Sequence, residues 1–128
     1  MEKEKVIRVL CVAPEKKLTI VTLENELHSL QDAVSVEAGE RGLIELIGVE
    51  NGVDIMLNEE GKLLGLPLNR RFGNDILVGA FYVVGVDGEH LASLPGAMVE
   101  KYRKVFDEVP EFGDVDMDDL IKFEFFGF

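Results

Sequence analysis

The chain is poor in the residues on which several kinds of chemistry depend. It has one cysteine, Cys11, in 128 residues. No intrachain disulfide can form, which fits a reducing compartment. Cys11 and the only two histidines, His28 and His90, are too few and too scattered to close a zinc tetrahedron. Long apolar runs are missing too. The longest uncharged one covers residues 76–86, far short of the roughly 20 residues that cross a bilayer as a helix. The N-terminus, Met1-Glu2-Lys3-Glu4-Lys5, mixes charges of both signs and leads into a strand pattern, unlike a signal peptide. A cytoplasmic protein is expected.

Bases are the other shortage. Thirteen Lys and Arg face 25 Asp and Glu, a net charge of −12. The surplus is unevenly placed. Residues 1–22 hold five bases and three acids, whereas residues 23–69 hold two bases and ten acids. Residues 111–128 hold one base and six acids. Neutralising phosphates requires a basic patch, so direct nucleic-acid binding is not expected. A basic protein partner is compatible with this distribution, and so is plain solubility.

Hydrophobic residues make up 47% of the chain, which excludes disorder throughout. The length suits one domain, expected over residues 1–110, followed by an acidic and Phe-rich segment, 111–128. Residues 6–13 read as a strand with two apolar faces, and residues 18–22 as its hairpin partner. Leu23, Leu27, Leu30 and Val34 recur at helical spacing, predicting a helix over 23–35. Residues 43–49 and 53–57 are predicted strands, with Asn51-Gly52 in the tight turn between them. Residues 62–75 carry leucines interrupted by Gly65, Pro67 and Gly73, which predicts a packed irregular loop. Residues 76–84 are predicted as one buried central strand, in which Gly79 marks a bulge or close approach. A second helix is expected to start near Ser93 and Pro95 and to end at Pro110. The order β-β-α-β-β-loop-β-α predicts an α+β fold: a single mixed, mostly antiparallel sheet with two helices on one face.

One stretch carries a resemblance. Asn58-Glu59-Glu60-Gly61-Lys62-Leu63-Leu64-Gly65-Leu66-Pro67-Leu68-Asn69-Arg70-Arg71, followed by Asp75-Ile76-Leu77-Val78-Gly79-Ala80-Phe81, resembles the bacterial and phage family catalogued as domain of unknown function 3846. Leu30-Gln31-Asp32-Ala33-Val34 and Gly42-Leu43-Ile44-Glu45-Leu46 agree with it. The resemblance spans roughly residues 6–106 and leaves the C-terminal segment uncovered. It implies a small protein, or a module of a larger one, carried by phages, plasmids or conjugative elements. It implies no mechanism.

The candidate site residues are Asn69, Arg70 and Arg71 with Gly65 and Pro67. Paired arginines suit carboxylate or phosphate, and glycines let backbone amides approach a ligand. The plainer reading is that Asn69 closes a turn while an arginine pairs across a loop. No catalytic residue, metal site or cofactor is expected: Cys11 reads as a core residue, His28 as solvent-facing and His90 as part of a turn. Asp114-Val115-Asp116-Met117-Asp118-Asp119 mimics the start of a calcium loop, but Asp119 stands where glycine is needed and Phe125 where glutamate is needed. Phe123, Phe125, Phe126 and Phe128 are expected to pack on the domain, or to link protomers into a homo-oligomer.

Three functional readings follow. The first is a non-enzymatic protein-interaction module, one version of which modulates a host DNA-binding or defence protein. The second is a binder of a small anionic ligand, or an enzyme, using the loop between Gly65 and Gly73. The third is a domain that mainly oligomerises through residues 111–128.

Overall fold

The computed structural model describes residues 3–113. The calcium-loop mimic and Phe123, Phe125, Phe126 and Phe128 of the segment 111–128, expected to pack on the domain or to link protomers, lie outside the described residues. Along β1 (Val6–Val12), alternate side chains point to opposite faces of the sheet. Ile7 and Val9 join one apolar cluster, while Leu10 and Val12 join another. Both faces of the sheet therefore need cover.

The main sheet runs β2-β1-β7-β4-β3, built from β2 (Thr19–Glu24), β7 (Phe81–Asp87), β4 (Val53–Asn58) and β3 (Ile44–Glu50) around β1. β8 (His90–Ala92) pairs with the far end of β7. Every strand pairing in it is antiparallel. The fold is α+β. β7 lies between β1 and β4, and its residues 81–85 are buried.

α1 (Leu27–Ala33) covers one face, where Leu30 and Val34 pack with Ile7, Val9, Met56, Tyr82 and Val84. α2 (Gly96–Val105) covers the other: Tyr102 and Phe106 join Leu10, Val12, Ile55, Phe81 and Val83. The expectation of both helices on one face is thus corrected. A sheet whose central strands are apolar on both sides must be buried on both sides.

Four boundaries also differ from the pattern read along the chain; one is the end of α2, which stops at Val105 and not at Pro110. β2 continues to Glu24, held by the pairs Val6↔Glu24 and Ile7↔Leu23, so the first helix begins only at Leu27. Asn25 makes the corner. Its backbone N–H donates to Lys5 O at 2.9 Å, and its Nδ2 donates to the carbonyls of Glu4 and Leu91, each at 2.9 Å. Leu27, assigned to the apolar stripe, is 61% exposed.

Residues 62–75 are not an irregular loop throughout. β5 (Leu68–Phe72) and β6 (Asp75–Val78) form a separate two-stranded sheet. The pair Phe72↔Asp75 leaves Gly73-Asn74 as a two-residue turn, with Gly73 at φ 60° as the first central residue of a type II′ turn. Finally, the run over residues 76–84 is two strands. Gly79, at φ 69°, lets the chain leave the small sheet and enter the main one. A Cβ there would lie 2.8 Å from Leu66 Cδ1, which is the close approach its position suggested. No described helix is long and apolar enough to cross a membrane.

Candidate functional site

β5 carries Asn69, Arg70 and Arg71, and the fold gives them different tasks. Asn69 is 1% exposed, and its Nδ2 donates to Val12 O at 2.7 Å and Gly79 O at 2.8 Å. Its Oδ1 accepts from Arg70 Nη1 at 2.9 Å. Arg70 is 2% exposed. Its Nε donates to Phe106 O at 3.0 Å and its Nη2 to Lys16 O at 2.6 Å. One guanidinium thus ties the end of α2, the β1–β2 turn and β5 together. Burial pulls its pKa below the ordinary arginine value, and the nearby Asp107 carboxylate opposes that shift. A cation at the last carbonyls of a helix also complements the helix dipole.

Arg71 is exposed, and its guanidinium carbon lies 5.4 Å from the centroid of the Phe112 ring. One arginine head is thus held by carbonyls inside the fold, and the other lies exposed beside an aromatic ring. Pro67 accepts a hydrogen bond from Gly79 N at 2.7 Å, while Gly65 stands in open space. Beside β5 runs an open groove of about 640 Å³, with Pro67, Leu68, Val109 and Phe112 among its apolar lining and Glu15 and Glu111 among its charged lining. Arg70, Arg71, Glu108 and Glu111 line a second groove, of about 320 Å³. Carboxylates stand beside the one exposed arginine of this loop, and they disfavour an anionic ligand.

Other polar groups are arranged to brace the fold. Lys62, 8% exposed, contacts Asp75 Oδ1 at 2.5 Å and bridges the loop after β4 to β6. Glu50 accepts from Lys101 Nζ at 2.6 Å and from the Tyr102 hydroxyl, joining β3 to α2. Lys101 and then Tyr102 hold the Glu50 carboxyl below its ordinary pKa. Cys11 is half-buried, and burial pushes its thiol up. His28 and His90 are exposed. Among the described residues no group of three or more His, Cys, Asp or Glu is placed to hold a metal ion.

A second region emerges only in three dimensions. The side chain of Asn58 at the end of β4 donates to Val34 O at 3.3 Å and Ser35 Oγ at 3.4 Å, and Ser35 Oγ accepts from Gly42 N at 2.9 Å. Glu59 N donates to Leu43 O at 2.9 Å. These bonds gather the loop after α1, the start of β3 and the loop after β4 at one corner. Those segments carry Val36, Leu43, Leu63 and Leu64, all about half exposed or more, and Leu46 on β3 is 46% exposed. The strand Leu43-Ile44-Glu45-Leu46-Ile47 is legible in the sequence. Its position at the margin of the sheet is not.

Compared with known families, residues 7–107 match the model described as domain of unknown function DUF3846. No curated protein and no solved structure matches the chain.

Proposed function

We propose that this chain, which belongs to the family of the domain of unknown function DUF3846, is a non-enzymatic interaction module that takes a basic protein partner on its acidic surface. The observation that carries this reading is where apolar exposure and charge coincide. Eight large hydrophobic residues are exposed among the described residues, and six of them, Leu27, Val36, Leu43, Leu46, Leu63 and Leu64, fall between residues 27 and 64. The same stretch lies within residues 23–69, where ten acids face two bases. Apolar side chains rimmed by charge are the usual composition of a protein-binding surface. The surplus of carboxylates in the same stretch would steer a basic partner and speed its encounter at low salt.

In this reading the protein acts in the cytoplasm of a bacterium that carries a phage or plasmid. Its partner is a host DNA-binding or defence protein whose basic face meets this acidic one. The test is a pull-down from host lysate with the tagged full chain at low and moderate salt. Recovery of a basic protein that is retained at low salt and released at moderate salt is the expected result. Recovery of no partner at either salt overturns the reading.

A further inference from the structure

We infer that the corner where the loop after α1, the start of β3 and the loop after β4 meet is a docking site for a lysine- or arginine-bearing amphipathic helix of another protein. The inference rests on the interaction reading above and names the place and the shape of what binds. Val36, Leu43, Leu63 and Leu64 are 67%, 55%, 52% and 48% exposed there. Three of them have a glutamate as neighbour. Val36 and Glu40 line one groove, of about 260 Å³. Leu43 O accepts from Glu59 N at 2.9 Å, and Leu64 N donates to Glu60 O at 2.9 Å. Glu40, Glu59 and Glu60 are exposed, and none of their carboxylates makes a hydrogen bond or ion pair among the described residues.

The charge left over specifies the occupant. Residues 36–43 and 59–64 hold two bases, and both are committed. Arg41, which lines that groove, forks onto Asp32 at 2.7 and 3.0 Å, and Lys62, 8% exposed, contacts Asp75. Glu37 is committed as well, accepting from Ala80 N at 2.8 Å. What remains is apolar surface with three unpaired carboxylates, which complements apolar residues flanked by cations. The backbone sets the shape. The N–H groups of Gly42, Glu59, Glu60, Gly61, Leu64 and Gly65 all donate within the chain, so the corner offers side chains and not a row of main-chain donors. An amphipathic helix binds through its side chains, its own backbone being satisfied. The chain's own basic helix fits poorly. α2 exposes one large apolar side chain, Val105, and its Lys101 is held by Glu50 at 2.6 Å. The net charge of −12 adds repulsion between copies.

The test uses the full chain and a labelled, end-capped helical peptide of about 15 residues, with leucines at helical spacing on one face and lysines flanking them. Fluorescence anisotropy should show binding that weakens as salt rises. A peptide of the same composition in scrambled order presents no apolar face and should bind about tenfold more weakly. Leu63→Ser combined with Leu64→Ser should weaken binding by about tenfold at an unchanged thermal midpoint. Glu59→Gln combined with Glu60→Gln, which alters no buried side chain, should weaken it about threefold at low salt and flatten its salt dependence. The inference fails if the helical peptide does not bind, if the scrambled one binds equally well, or if either double variant binds as tightly as the wild type. Should the leucine variant lose its fold, the glutamate variant decides alone. The inference also fails if light scattering shows a dimer that the leucine variant dissociates, since the corner would then belong to a second copy. In the pull-down, a partner still held by the leucine variant overturns the corner assignment and leaves the interaction reading standing.

Discussion

Arg70 on β5 donates its Nε hydrogen to the carbonyl of Phe106, 36 residues later in the chain, at 3.0 Å. With its bonds to Lys16 O and Asn69 Oδ1, that contact makes a side chain that looked like a ligand clamp into an internal brace. Three separate elements are tied through one guanidinium, whose planar fork no other side chain reproduces.

Arg70→Ala should therefore destabilise the protein by about 3 kcal/mol, because carbonyls and the Asn69 side chain lose a charged donor. Arg70→Lys should rescue only part of that loss. Arg71→Ala should cost no more than about 1 kcal/mol, the scale of an exposed cation–π contact. Urea denaturation of the three variants measures this. Equal losses for Arg70→Ala and Arg71→Ala would refute the division of labour.

Two glycines should answer the same substitution with opposite signs. A Cβ at Gly85 would lie 2.3 Å from Ser93 O, a backbone atom that cannot swing away. Gly85→Ala should cost about 3 kcal/mol by forcing β7 and the segment after β8 apart. Gly96 opens α2 and has no atom within 4 Å of the added methyl. Gly96→Ala should stabilise by about 0.5 kcal/mol, since alanine restricts the unfolded chain and favours the helix. Thermal and urea midpoints check both.

Asn25 fixes the corner between β2 and α1, and both amide hydrogens of its side chain are donated to carbonyls. Asn25→Ala should cost about 2 kcal/mol. Asn25→Asp should cost more, because it places carboxylate oxygens against the carbonyls of Glu4 and Leu91. A smaller loss for Asp than for Ala in urea denaturation would show that the corner is held by something else.

The chain has two tyrosines, Tyr82 and Tyr102. Burial first, and then the Glu50 carboxylate, push the Tyr102 phenol up to about 12. Burial pushes Tyr82 up as well. The folded state therefore holds the phenol proton more tightly than the unfolded state. That contribution to stability is full below the ordinary value of 10 and is lost as pH rises from there toward about 12. Absorbance near 295 nm should show no tyrosine ionising near pH 10 in the folded protein, whereas in urea both should ionise near that value. Glu50→Gln should lower the Tyr102 midpoint only in part, because burial is the larger cause. A folded-state titration at the unperturbed value would contradict the packing described for these rings.

Sequence alone settled several features that depend on neighbours along the chain. The uninterrupted apolar run placed β7 at the centre of the sheet. Asn51-Gly52 set the β3–β4 hairpin, and Cys11, read as a core residue of its strand, is half-buried there. The hairpin of β5 and β6 was legible in Gly73-Asn74, but Gly65 and Pro67 suggested an irregular segment instead. Periodicity along a strand or helix is local, so it survives in one dimension. Tertiary structure decided the rest, because the deciding partners are distant in sequence. Which face each helix covers depends on how both sides of the sheet are filled. Whether Arg70 meets solvent or the carbonyls of Lys16 and Phe106 depends on contacts that cross 54 and 36 residues. β3 and β7 both read as apolar strands. Only the pairing order β2-β1-β7-β4-β3 buries one and leaves the other at the margin, since an edge is a property of the assembled sheet and not of any strand within it.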